Sequence, residues 1–227
     1  MKRKLFNSIA IITTVAVMGT TITPATSASA NAIVVENEFP QQVNQFVDLG
    51  GDSLAEMPSV DKMNREQVEL FEQIVEEEAN KQENPELYKK LLTDFFDESS
   101  GHADDIEYAS RILAFDSENK NVVQPTSLIP SIGVNFAGSA LNVAIGFAVG
   151  GGVGAIQAYL AKKGKKEAEK LFTKTVTSKL KAWGFTKLAL MSNAAVQFAL
   201  DYADIGTQIA KYLDRRDSKP NNGWIDF

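Results

Sequence analysis

The sequence predicts an all-α protein: an acidic helical N-terminal half, followed by a C-terminal helical bundle around a glycine-rich apolar helix or hairpin. Two observations carry this expectation. Apolar residues recur at three- and four-residue spacing in segments opened by capping residues, and the stretch between Lys120 and Lys162 runs for 41 residues without a charged side chain.

Taken in chain order, residues 1–30 read as a secretory signal peptide. Lys2, Arg3 and Lys4 form a positive start, Leu5 to Met18 is mostly apolar and uncharged, and Ala28-Ser29-Ala30 is a small-x-small cleavage site before Asn31. The apolar core is shorter than the roughly 20 residues a spanning helix needs, which favours cleavage over a permanent anchor. The mature chain is then expected to start near Asn31 and to be secreted (extracellular).

Residues 31–115 read as an acidic helical leader or inhibitory region. Asn64 caps a helix with Gln67 at the capping-box position, and Val68, Phe71, Ile74 and Val75 fall on one stripe. Asn84-Pro85 opens a second helix through Leu87, Leu91, Leu92, Phe95 and Phe96, stopped at Ser99-Ser100-Gly101. A third places Ile106, Ala109, Ile112 and Leu113 on one face. Residues 116–130 lose the pattern and, with Pro125 and Pro130, read as a linker where a second cleavage would fall.

Residues 131–227 read as an apolar and cationic helical region. From Ile132 to Leu160 nearly every residue is apolar or small, and Gly146, Gly150 and Gly154 form a doubled GxxxG that would leave a groove for another helix in hydrocarbon. Each interior glycine costs about 1 kcal/mol in a water-exposed helix relative to Ala. Gly150-Gly151-Gly152 therefore permits either one long helix or a hairpin folded at the glycines. Asn135, Ser139 and Asn142 lower the hydrophobicity of the run, and Gly138, Ser139 and Ala140 suit close packing.

Lys162, Lys163, Lys165 and Lys166 follow directly, a cluster suited to anionic lipid headgroups. The next helix, from about Glu167 to Trp183, sets Phe172, Val176, Leu180 and Trp183 on one stripe, and Trp183 would anchor it at a membrane interface. The same cationic helix would equally pack on the acidic half. A further helix from Leu188 to Ala203 carries Leu188, Met191, Ala195, Phe198 and Tyr202, and a short one holds Ile205, Ile209 and Leu213. The Asn222-Gly223 turn and the aromatic end at Trp224 and Phe227 suggest a tail docked on the fold.

Charge divides the same way. Residues 31–120 carry 22 acidic and 7 basic side chains, a balance of −15, whereas residues 121–227 carry 7 acidic and 13 basic, a balance of +6. Such halves either neutralise each other or act separately after processing.

Much chemistry is excluded. The absence of Cys and the single His remove thiol nucleophiles, disulfide frameworks and multi-histidine metal sites. An overall charge of −6 argues against nucleic acid as the partner. Asp201 and Asp204 stand one turn apart, but with no partner base or phosphate loop they read as capping or salt-bridge residues. Ser178 and Lys181 match SxxK without its companion motifs, and His102 reads as a loop residue. No catalytic, cofactor-binding or metal residue is expected, and the protein is not expected to be an enzyme.

The order of signal, acidic helical leader, linker, glycine-rich apolar run and lysine-rich amphipathic helix resembles that of large secreted bacteriocin precursors of Gram-positive bacteria, of the streptococcin and sporulation-delaying kind. The resemblance lies in organisation. The cysteine pair found in some such toxins is missing here. The resemblance implies export, proteolytic maturation and permeabilisation of a competitor's membrane, with the anionic membrane of target bacteria as partner. A soluble secreted helical binding or immunity protein, and a single-pass envelope protein, are the alternatives.

Overall fold

The computed structural model describes residues 57–116 and 131–226, all of them in the compact unit Val43–Phe227. The expected signal and the expected linker beyond residue 116 lie outside the described residues. Within them the protein is all-α, with 71% helix, nine helices and one two-stranded sheet.

The first three helices begin as their sequences dictate. α1 (Arg65–Ala79) opens on a reciprocal capping box: the Gln67 backbone N–H donates to Asn64 Oδ1 at 2.9 Å, and the Asn64 N–H donates to Gln67 Oε1 at 3.0 Å. α2 (Pro85–Phe96) has proline in its first turn, where no N–H partner is lost, and Asn84 Oδ1 accepts from the Leu87 N–H at 3.2 Å. Gly101, in the left-handed region at φ 73°, ends the short 3-10 turn Glu98–Ser100 that follows. α3 is Ile106–Asp116.

A strand, β1 (Ser131–Gly133), leads into α4 (Val134–Val149), the centre of the molecule. α1, α6 (Lys165–Ala182) and α9 (Ile205–Asp214) pack around α4, and α5 (Val153–Lys163) continues from its end. Fifteen of the sixteen α4 residues are buried, all except Asn135. An uncharged helix that is apolar on every side can be stable in water only if others enclose it.

The two oppositely charged halves share one apolar core. Phe71, Leu92 and Phe95 from the acidic half join Phe136, Leu141, Phe172 and Leu213 from the other. The Phe95 ring packs edge-on against Phe136, with centroids 5.3 Å apart, and lies 5.4 Å from the Trp183 ring.

Two features differ from the sequence expectation. The expected helix from Leu188 to Ala203 is two short helices, α7 (Thr186–Ala189) and α8 (Ser192–Ala199), separated by a turn at Leu190 and Met191. The turn closes through the Met191 N–H to the Leu188 carbonyl at 2.8 Å and the Ser192 hydroxyl to the Ala189 carbonyl at 2.9 Å, so serine's local bonding competes with a continuous helix. Second, residues 224–226 form β2 (Trp224–Asp226), antiparallel to β1, with Ile132 opposite Ile225 and neither exposed. Trp224 docks as expected, through backbone pairing at the start of α4, and Phe227 lies outside the described residues.

Candidate functional site

The feature that calls for explanation is α4 together with α5. α4 stops at Gly150, which takes φ 82°, a conformation natural to glycine and costly to other residues. The Gly151 N–H then donates to the Gly146 carbonyl at 2.9 Å and the Gly150 N–H to that of Phe147 at 3.1 Å. That pair of bonds is the helix-ending Schellman arrangement. The apolar run is accordingly neither one straight helix nor a hairpin folded back on itself, but two helices meeting at a 52° bend. No single described helix is long and apolar enough to cross a membrane, whereas α4 and α5 together reach the length and mean hydropathy required.

The three GxxxG glycines play different parts. A Cβ at Gly146 would lie 2.6 Å from the Gly151 carbonyl oxygen and 3.3 Å from Ile74 on α1, so glycine here admits both the helix end and α1. Gly150 is the terminator. Gly154 is exposed, with nothing within 4 Å of the position of a Cβ.

Two adjacent acidic residues at the end of α1 reach across to this apolar pair. Glu77 lies over Gly152, where any side chain would overlap its carboxylate, and Glu77 Oε2 accepts from the Val153 N–H at 3.3 Å at the start of α5. A carboxylate there complements the partial positive charge of a helix N-terminus. Glu78 points the other way and is 1% exposed. Its Oε2 accepts from Asn142 Nδ2 at 3.3 Å, and its Oε1 accepts from Lys81 Nζ at 2.5 Å.

Asn142 is the polar centre of α4 and has no exposed surface. Beyond Glu78, its Nδ2 donates to Asp204 Oδ1 at 2.8 Å, and its Oδ1 accepts from the Gly206 N–H at 2.8 Å. One side chain thus ties α1, α4 and the start of α9 together. Asp204 also caps α9, accepting from the Thr207 N–H at 3.1 Å and the Thr207 hydroxyl at 2.9 Å. The approach of α9 to α4 depends on glycine: a Cβ on Gly206 would lie 2.5 Å from the Gly138 carbonyl oxygen, and one on Gly138 would lie 2.8 Å from the Thr207 Cα.

Burial pushes the Glu78 carboxyl above its ordinary pKa, with the Lys81 and Asn142 bonds opposing it. Asp204 is also desolvated, yet the bonds from Asn142 and Thr207 outweigh that and hold it below the ordinary value. The two carboxylates flanking Asn142 are driven in opposite directions.

The expected lipid-facing cations occupy the turn between α5 and α6, where Lys162, Lys163, Lys165 and Lys166 are all exposed. Lys165 pairs with Asp201, and Asp204 is a helix cap, so both aspartates take the roles expected of them. Trp183, expected at a membrane interface, is 3% exposed, and its Nε1 donates to Asp104 Oδ1 at 2.8 Å. Lys179, one turn earlier, lies 5.1 Å over the Phe96 ring, and burial lowers its pKa while Asp104 and Glu98 oppose the shift. Here the cationic helix meets the acidic half, which is the second of the two roles weighed for it.

Sequence reasoning missed Glu77, Glu78 and Gly206. The signal for them was Asn142, since a polar residue within an apolar run requires a buried partner. No protein-family model, curated protein or solved structure matches the chain. Function must therefore be argued from the site itself. Among the described residues no group of three or more His, Asp or Glu side chains could hold a metal ion.

Proposed function

We propose that the chain is a secreted, membrane-active antibacterial protein whose C-terminal half inserts into the membranes of target bacteria, while the acidic helices keep that half soluble until release. The observation that carries this reading is an uncharged apolar helix enclosed at every residue but Asn135 and continued across a glycine bend by a second, under a sheath contributed partly by the acidic helices. The seven large apolar side chains of α4 (Val134, Phe136, Leu141, Val143, Ile145, Phe147 and Val149) favour burial by about 1.5–3 kcal/mol each, on the order of 10–20 kcal/mol together. Such a helix is stable inside a protein or inside hydrocarbon, and strongly disfavoured in water. Displacement of α1 would uncover α4 at Gly146 and free the bend at Gly152, and the lysines at the α5–α6 turn would favour an anionic surface.

A soluble secreted helical binding or immunity protein is the second reading, favoured by the closure of the core around α4. Dye release from vesicles of phosphatidylglycerol separates the two. A protease site placed within residues 117–130 gives a cut and an uncut form of the mature protein. Release by the cut form, with little by the uncut form, is expected. If neither form releases dye while both remain folded, the membrane-active reading is wrong and the binding protein stands.

A further inference from the structure

In the folded state α4 is inside, and Trp183 with it, so first contact with a membrane falls to other groups. Among the described residues two large apolar side chains are exposed, Leu190 at 85% and Tyr202 at 43%. Leu190 stands on the turn between α7 and α8, between Leu188 and Met191, and these two residues line a cavity of about 320 Å³ together with Lys187 and Arg216. The surface continues from Arg216. Its guanidinium lies 3.7 Å over the Tyr212 ring, Tyr212 packs against Phe198 at 5.4 Å, and Phe198 packs against Tyr202 at 5.2 Å, with Arg215 5.9 Å over Phe198.

This strip is cationic at its rim. Lys187, Arg215 and Arg216 are exposed. Next to Tyr202, Asp201 is paired with Lys165, which joins the strip to the turn of lysines between α5 and α6. The acidic residues of the cavity are tied inward. Asp217 accepts from the backbone N–H groups of Lys219 and Asp226, and Asp226 is buried and accepts from Asn222.

Resting on the membrane-active reading above, we propose that the strip from Leu190 through Arg216 and Tyr212 to Tyr202 is the face by which the folded protein docks on an anionic lipid bilayer. A protruding leucine enters the boundary between headgroups and acyl chains, and tyrosine suits that boundary because its ring is apolar and its hydroxyl polar. Arginines held over tyrosine and phenylalanine rings present their guanidinium edges to lipid phosphates while their stems stay on apolar surface. The charge of the strip selects the lipid, and its aromatic row sets the orientation in which α4 would later be released.

Docking is measured with the whole mature protein by co-sedimentation with vesicles of phosphatidylglycerol, and separately with vesicles of phosphatidylcholine. The wild type is expected to bind the anionic vesicles and leave the neutral ones. R215A/R216A should lower partitioning about 30-fold, and L190S about tenfold. Leu190 is 85% exposed, so L190S is expected to keep the fold, which circular dichroism verifies. K62A/K89A, which lies in the acidic half beside Glu98 and Glu76 and removes equal formal charge, should bind like the wild type. The proposal is overturned by unchanged binding of L190S and R215A/R216A, by an equal loss in K62A/K89A, or by wild-type binding that ignores lipid charge. Binding through this strip without dye release from either form would overturn the permeabilising function and leave the docking face in place. Dye release with undiminished binding by the strip variants would do the reverse.

Discussion

Replacing Asn142 by Ala tests whether the polar knot on α4 holds the two halves together. The substitution removes two donated bonds, to Glu78 at 3.3 Å and Asp204 at 2.8 Å, and the bond accepted from the Gly206 N–H at 2.8 Å. Asn142 has no exposed surface, so these bonds are made away from bulk solvent. Leaving a buried partner unsatisfied costs about 1–3 kcal/mol, more when it is charged. Glu78 keeps Lys81 and Asp204 keeps Thr207, so neither is wholly orphaned. The Gly206 N–H is. The expected loss is about 3–5 kcal/mol, a large share of the 5–15 kcal/mol typical of a whole protein. Urea unfolding of residues 31–227 at pH 7, followed by tryptophan fluorescence, measures it. If Asn142 acts through Glu78, a cycle with E78Q gives a coupling of about 1 kcal/mol or more, because the two residues share a bond. A loss below about 1 kcal/mol for Asn142→Ala, or strict additivity with E78Q, would refute the reasoning and reduce Asn142 to a packing residue.

Three further outcomes follow from the same geometry. Gly206→Ala puts a methyl 2.5 Å from the Gly138 carbonyl oxygen and against the Asn142 side chain, so α9 must move off α4; a loss of about 2–3 kcal/mol is expected by thermal unfolding, and a neutral result would mean the crossing is loose. Gly152→Ala displaces the Glu77 carboxylate from the start of α5 and should cost about 0.5–1 kcal/mol in the wild-type background, but little once Glu77 is Ala, which a double-mutant cycle in urea checks. Stability should also respond to pH through the two carboxylates around Asn142. Glu78, raised in the folded state, contributes stability that is fully present below about pH 4.5 and is lost as pH rises through its folded value; Asp204, lowered, contributes stability present above about pH 3.8 and lost as pH falls below it. E78Q should reduce that decline, because burial raises Asp104 and Asp217 as well, and a decline of equal size in E78Q and wild type would rule out Glu78 as a source.

Sequence alone determined the elements whose signals are local. Asn64 with Gln67 and Asn84 with Pro85 announce α1 and α2, because a cap satisfies backbone groups within four residues of itself. The apolar stripes and the uncharged run announced which faces would be inside, since periodicity is a property of neighbouring residues. The break at Leu190 escaped notice because a serine can bond within its own helix turn or break the turn, and its position in the chain does not say which. Tertiary structure alone decided how the glycines are used and what faces the buried polar groups. Gly146, Gly150 and Gly154 look equivalent in a GxxxG pattern, yet one meets α1, one ends a helix in the left-handed region, and one faces open space. Trp183 fits a membrane interface and a buried bond to Asp104 equally well until its partner, 79 positions earlier in the chain, is in place. Glu77 and Glu78 are two carboxylates in an acidic helix until folding brings Gly152 to one and Asn142 to the other. The free energy of these contacts belongs to pairs far apart in the chain, so it is set only when the two halves close on one core.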